Sequence, residues 1–333
     1  MANQKTLLSE LRSRSAIDCD TLDVEVAQAL GPFVDCTSNQ AIVNIELQKS
    51  KNEPLVVESI QQAKQLYEQY ALEATFEQFA SEVMAVRLSA KMLPYLTGRA
   101  LIQTNPYNAY STSATIANAK RIIAIYKTIA PDHPSNRVCI KIPSTWEGIA
   151  ACKELEKQGI VTLATTLFSM EQAALAAAAG CSYIAPYVNE LPVHFVAGHI
   201  DSDKGFALTR SCQKFYSRIG NTKTQVMPAS LTSVDECLQV SGANHITISP
   251  PLLAALAATP APASAAPLFF DEVVDEAEGE DAVLMELADN EAKYRIRYTR
   301  LKNGAAEKKL TDAINIFADC QDATEELIRR YAN

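Results

Sequence analysis

Short apolar runs that alternate with stretches of helical periodicity put the strongest limit on what this chain can fold into. The runs lie at 16–20, 33–37, 100–103, 138–142, 161–165, 183–186, 225–228 and 245–248. Helical patterns stand at 5–14, through the long amphipathic region 58–96, and at 114–130, 147–158, 169–179, 205–220 and 233–240. Strands that alternate with helices imply a parallel sheet, and about eight such units imply a closed ring of strands. The expectation is an α/β chain forming a (β/α)8 TIM barrel, with extra helices at both termini. A length of 333 residues allows two domains, yet barrels of this kind run as one, so a single domain is expected over 1–333. An Ala/Pro-rich and then acidic loop is expected at 257–281. Two helices at 282–301 and 307–331 would make residues 282–333 a C-terminal unit packed on the barrel. Covering the barrel mouth and forming a homodimer contact are the two roles open to it.

Composition narrows the function classes. With 30 basic and 39 acidic residues the net charge is −9, and no basic stripe interleaves with aromatics. That speaks against a nucleic-acid partner. The eight cysteines form no CxxC pair, and no apolar leader follows Met1, so the thiols read as reduced and the protein as cytoplasmic. The longest apolar stretch, around 252–270, is broken by Pro260, Pro262 and Pro267, so no membrane span is expected.

One of the apolar runs contains a lysine. Period two sets Val138, Ile140 and Ile142 on one face and Cys139 and Lys141 on the other. Burying an ammonium costs several kcal/mol unless it is paired or neutralised. Either Lys141 snorkels to water at a strand end, or its lowered pKa makes it a nucleophile toward carbonyls. In a barrel, chemistry collects where the strands end. Asp20, Thr37 with Asn39, Gln103, Lys141, Thr165, Tyr187, Ser230 and Ser249 would then share one cavity. That set suits Schiff-base chemistry, in which an amine attacks a ketone or aldehyde, the carbinolamine loses water, and the iminium formed serves as an electron sink. Asp20 and Tyr187 are the titratable members, while Gln103 and Thr165 can position a water.

These residues carry a resemblance to a known family. The chain is similar to transaldolase, a class I Schiff-base aldolase of (β/α)8 fold that moves dihydroxyacetone between sugar phosphates. The match runs from about Leu11 to the C-terminus. Its specific pieces are Asp-Cys-Thr-Ser-Asn at 35–39, Lys-Ile-Pro-Ser-Thr-Trp-Glu-Gly-Ile at 141–149, the stretch 159–172, and Ile-Thr-Ile-Ser-Pro at 246–250. The resemblance implies that Lys141 forms the Schiff base, Asp20 assists C–C cleavage, Asn39 contacts a donor hydroxyl and Thr165 holds the catalytic water.

Departures from the family pattern fall around that lysine. Gln103 stands where the family has a proton-relaying glutamate, and an amide has no proton to exchange at neutral pH. Tyr187 replaces a phenylalanine, so glutamine, threonine and tyrosine resemble the water site of the smaller fructose-6-phosphate aldolases, in which tyrosine is the acid/base. Glu190 and Thr232 stand where the family has arginines, leaving Ser230 of the phosphate contacts. An anion in place of a cation is worth on the order of 4 kcal/mol for a pair about 4 Å apart at an effective dielectric of about 20. Leu163 and Ala185 replace a polar asparagine and serine, which thins the donor contacts.

Plainer roles remain for several of these residues. Asp20 could be a helix N-cap, Tyr187 a core aromatic and Gln103 an inert remnant. His194 and His199 lack a ligand partner at convincing spacing, so no metal is expected, and Schiff-base chemistry needs no cofactor. The leading expectation is a Schiff-base enzyme that makes or breaks a C–C bond in a small non-phosphorylated carbonyl substrate, in specialised metabolism. The alternatives are a pentose-phosphate transaldolase and a non-catalytic barrel that binds a metabolite or partner.

Overall fold

The computed structural model describes residues 5–70, 73–262 and 279–332. Eight parallel strands follow the expected order: β1 Ala16–Asp20, β2 Cys36–Thr37, β3 Ala100–Gln103, β4 Val138–Pro143, β5 Thr162–Leu167, β6 Tyr183–Pro186, β7 Gln225–Val226 and β8 His245–Ile248. Hydrogen bonding runs β7-β6-β5-β4-β3-β2-β1-β8. Between β8 and β7 the Thr247 N–H donates to the Pro228 carbonyl at 3.4 Å, and the Val226 N–H to Asn244 Oδ1 at 2.9 Å. The ring is thus nearly closed. It is a (β/α)8 TIM barrel, with helices between the strands and further helices at both ends.

Strand alternation sorts the core into two layers. Val138, Ile140 and Ile142 join the large cluster between strands and surrounding helices. Their opposite-face neighbour Cys139 joins a second cluster with Leu101, Leu163, Ala185, Tyr187 and Met227, which fills the ring. The interior is therefore a packed stack of side chains, as this architecture requires. Below the apolar middle lies a polar floor. His245 Nδ1 stands 2.9 Å from Asp18 Oδ2, and Arg99 Nη1 donates to the Tyr183 hydroxyl at 2.6 Å. Burial pushes the Asp18 carboxyl up to about 6, against the pull of His245.

Side-chain caps explain where the helical patterns were misread. The region 58–96 is two helices, Glu53–Tyr70 and Phe76–Met92, because Thr75 and Gln78 form a capping box that starts the second. The expected helix 282–301 is likewise split into Glu280–Leu287 and Glu291–Arg300, with Asn290 Oδ1 accepting the Lys293 N–H. Lys302 and Asn303 take left-handed backbone at φ 46° and 56° before the last helix, Ala305–Ala332. Of the loop expected at 257–281, its first residues end helix Pro250–Ala258 and its last begin Glu280–Leu287. Residues 263–278 lie outside the described residues.

The helix Ala305–Ala332 crosses the barrel at the end where the strands finish. It packs on helix Gln40–Leu47 after β2, on the turn Pro106–Asn108 after β3, on β5, and on the turn Leu191–His194 after β6. Its Ala313 and wholly buried Phe317 enter the barrel-interior cluster beside Leu163, Ala185 and Tyr187. Of the two roles considered for the C-terminal helices, covering the mouth is the one seen here. Phe317→Ala should cost about 3–5 kcal/mol in urea unfolding, the usual cost of emptying a buried aromatic site. A cost below about 1 kcal/mol would show that the helix does not depend on this anchor.

Candidate active site

Lys141 lies within β4, paired in register with Gln103 of β3 and Leu163 of β5. It is 2% exposed, so it does not snorkel to water. Its Nζ donates to the Ser38 carbonyl at 3.3 Å. Among the described residues no carboxylate stands within ion-pair reach of it. Inside the ring the Lys141 nitrogen thus meets one neutral acceptor.

The residues after the lysine hold the strand and the next helix together. Ser144 Oγ donates to the Thr165 carbonyl at 2.7 Å and ties β4 to β5. Thr145 caps helix Trp146–Lys157 by accepting the Gly148 N–H at 2.8 Å. A Cβ on Gly148 would sit 2.2 Å from the Pro143 carbonyl oxygen, so only glycine lets the helix start this close to the strand. Trp146 packs on Tyr294 at 5.1 Å between ring centroids, and Glu147 pairs with Arg295 at 2.6 Å, docking helix Glu291–Arg300.

Around the lysine the polar groups form short chains. Thr37 Oγ1 donates to Asp20 Oδ1 at 2.6 Å and meets Thr247 Oγ1 at 2.5 Å, linking β1, β2 and β8. The N-cap reading of Asp20 is overturned, since Asp23 caps helix Val24–Leu30 by accepting the Glu25 N–H. Gln103 Nε2 donates to Gln40 Oε1 at 2.7 Å, and Gln40 donates on to the Thr104 carbonyl. Gln103 Oε1 and Thr165 Oγ1 are buried with no hydrogen-bond partner. Asn39 Oδ1 caps helix Gln40–Leu47 by accepting the Ile42 N–H at 2.9 Å. Ser249 precedes helix Pro250–Ala258 without a side-chain cap bond.

Beyond β6 and β7 the rim is crowded with carboxylates. Glu190 Oε1 accepts from His199 Nε2 at 2.6 Å. The Thr232 N–H donates to Glu236 Oε2 at 2.7 Å, and Asn189 and Lys204 donate to the same carboxylate. Burial raises Glu236, but the bonds from Lys204, Thr232 and Asn189 outweigh it and hold the carboxyl below its ordinary value. A cavity beside Tyr187 is lined in part by Lys204, Lys302 and Lys309. These pair with Glu236, Asp203 and Asp201 at 2.6, 2.6 and 2.8 Å.

Leu163 and Ala185 face the interior and are almost wholly buried, and Tyr187 is 4% exposed, its ring edge-on to Phe168 at 5.7 Å. Thr166, next to the last residue of β5, and Ser230, in the loop after β7, both take left-handed backbone, at φ 54° and 62°. For a β-branched threonine this is a strained conformation, and here it accompanies a register shift between β5 and β6.

A profile of the family described as Transaldolase/Fructose-6-phosphate aldolase matches residues 17–328. The chain belongs to this family. A transaldolase of Nostoc punctiforme is 32% identical over 282 residues, covering 81% of this chain and 83% of that one. One of Methylococcus capsulatus is 30% identical over 332 residues, covering 97% and 96%. One of Haemophilus ducreyi is 32% identical over 255 residues, covering 75% and 79%. This chain is therefore a transaldolase-like enzyme, of a family whose chemistry passes through a Schiff base. Among the described residues no helix is long and apolar enough to cross a membrane.

Four residues near the site were missed in the sequence. Thr247 shares the inward face of β8 with His245, a parity that period two could have revealed. Ser38 acts through its carbonyl and Phe317 comes from a distant helix, and neither leaves a local signal. His194, weighed only as a metal ligand, has its Nε2 at 2.9 Å from Ser230 Oγ. Lost hydration holds its imidazole below the ordinary value, although Asp20 and Glu236 pull the other way. Thr165→Val removes a buried, unpartnered hydroxyl at constant shape. Its stability should hold or rise by about 1 kcal/mol in urea unfolding while turnover falls. A loss of both would give the hydroxyl a structural role instead.

Proposed function

We propose that this family member makes or breaks a C–C bond in a carbonyl compound without a phosphate group, through an iminium on Lys141. The observation that carries the reading is the buried Lys141 amine, which has one peptide carbonyl as partner inside the ring. Its Nζ adds to the carbonyl carbon, and the carbinolamine loses water to give the iminium. In the cleavage direction the bond beyond the adjacent carbon breaks, its electron pair passes to the iminium, and Asp20 takes the proton of the hydroxyl that becomes the departing aldehyde. The enamine left behind adds to an acceptor or is protonated, and water then releases the product from Lys141. Thr165 and Gln103 offer acceptor oxygens for that water, and the Tyr187 hydroxyl moves the proton that an amide cannot exchange.

The absence of phosphate in the substrate is supported by the rim. Glu190 and Thr232 occupy the positions of the family's arginines, Glu236 adds a second carboxylate, and Lys204, Lys302 and Lys309 are already paired. The uncharged His194 and Ser230 form a pair suited to a hydroxyl or carbonyl. Leu163, Ala185 and Phe317 make the wall dry, as a less hydroxylated substrate of specialised metabolism requires. We place the enzyme in the cytoplasm, where its free cysteines would stay reduced. Exposed Phe195, Val196 and Ile200 are compatible with a homodimer contact.

A second reading, transfer of dihydroxyacetone between sugar phosphates, is favoured by the transaldolase names of the relatives. Borohydride reduction with plain and phosphorylated ketones and aldehydes, followed by mass analysis of the Lys141 peptide, separates the two. Adducts with plain carbonyls are expected, and Lys141→Ala should abolish them. Adducts confined to sugar phosphates, with consumption of sedoheptulose 7-phosphate, would establish the second reading. No adduct at all would leave a metabolite- or partner-binding barrel.

Tyr187→Phe tests the proton transfer separately. Turnover should fall by about a hundredfold or more if the hydroxyl is the acid/base. Steady-state rates equal to those of the unmutated enzyme would return that role to Asp20.

A further inference from the structure

The floor of the barrel, at the opposite end from Lys141, holds a cluster that the proposed reaction does not use. Asp18 and Asp35 lie two residues below Asp20 and Thr37, and His245 lies two below Thr247. One side-chain atom of each of the three lies within 4.8 Å of the others. We propose that Asp18, Asp35 and His245 bind one divalent transition-metal ion, of the class of Zn2+ or Mn2+.

Main-chain bonds orient the donors. Asp18 Oδ1 accepts the Asp35 N–H at 2.8 Å, and Asp35 Oδ1 accepts the Arg99 N–H at 2.6 Å. One oxygen of each carboxylate is thereby occupied, and each Oδ2 is turned toward His245 Nδ1, at 2.9 Å from Asp18 and 3.7 Å from Asp35. Ligands about 2.0–2.2 Å from a shared ion stand roughly 3–4 Å apart, so the spacing fits with little movement. Such fixing of ligands by neighbouring groups is what a preformed site needs.

Charge points the same way. Asp35 Oδ2 is buried with no hydrogen-bond partner, and the Asp35 side chain is 1% exposed. The guanidinium of Arg99 is committed to the Tyr183 hydroxyl at 2.6 Å and the Asn136 carbonyl at 3.0 Å. Two buried carboxylates thus face one imidazole directly, with the Arg99 charge and the Tyr183 hydroxyl acting on Asp35 from beside it, and a dication would neutralise the two carboxylates at the point where they converge. Two hard oxygens and an imidazole nitrogen suit Zn2+, Mn2+ or Fe2+ better than a soft ion. The His245 side chain is 12% exposed, which gives an ion a way in from below. Spacing along the chain gives no hint of this site, since its ligands come from residues 18, 35 and 245.

The test is calorimetric titration of the chelator-treated full chain with ZnCl2, alongside Asp35→Asn and His245→Gln. Asp35→Asn keeps the Oδ1 acceptor and removes only the charge, which favours folding. One equivalent is expected to bind the unmutated chain, with affinity lower by about tenfold or more in each variant. No binding, or binding that both variants leave unchanged, would overturn the site. A readout on the unmutated chain guards against misfolded variants. With Co2+ bound, a paramagnetically shifted exchangeable imidazole N–H signal should appear in proton NMR, and its absence would also overturn the proposal.

Discussion

An amine held inside a nearly closed ring of strands constrains nearly everything around it. Lys141 cannot reach water from within β4, so its nitrogen takes what the ring supplies, the Ser38 carbonyl. That contact depends on where β2 ends and on the chain's turn into helix Gln40–Leu47, whose cap is Asn39. Strand β4 must also stop at a fixed height, and Ser144, Thr145 and Gly148 set it by tying the strand to β5 and letting the next helix begin against Pro143. The motif at 141–149 therefore reads as one mechanical unit, in which one residue carries the amine and the others hold its position.

The barrel interior divides its polarity between two ends. Asp20, Thr37, Thr247, Gln103 and Thr165 gather where the strands finish, Asp18, Asp35, Arg99, Tyr183 and His245 where they begin, and the middle is filled by Leu101, Cys139, Leu163 and Met227. Period two produces this directly, because each inward position repeats every second residue, so Asp18 and Asp20 share a face of β1 at different heights. The apolar middle keeps the two charged ends from sharing water. It also lets each end carry its own electrostatics.

Strand positions could be read from the sequence because each strand here is short, apolar and bounded by polar residues. The observed β1, β6 and β8 have the bounds that alternation indicates. Helix boundaries were less legible where one side chain decides them. Thr75 and Asn290 interrupt patterns that look continuous in hydrophobicity, because a cap acts through one hydrogen bond and not through the apolar face. Lys141 was legible as an anomaly, a charge in an apolar run. The floor cluster was not, since Asp18 in β1, Asp35 just before β2 and His245 in β8 each look ordinary where they stand and become a group only when the strands assemble. Phe317 is hidden for a related reason, for an amphipathic helix shows which face is apolar but not what it covers.

At the rim the charged side chains are bonded to one another. Glu190, expected to repel an anion, has its carboxylate bonded to His199. Glu236 is held ionised by three donors, the Thr232 N–H, Asn189 and Lys204, and the last of these pairs its charge. Lys204 cannot neutralise an incoming phosphate without giving up that same carboxylate. An anionic substrate would thus have to break an existing ion pair in a crowded, partly dry rim, whereas a neutral hydroxyl needs only the His194–Ser230 pair to turn toward it. Under the proposed reading, discrimination at this mouth would follow from commitments that the protein's own charges have already made to one another.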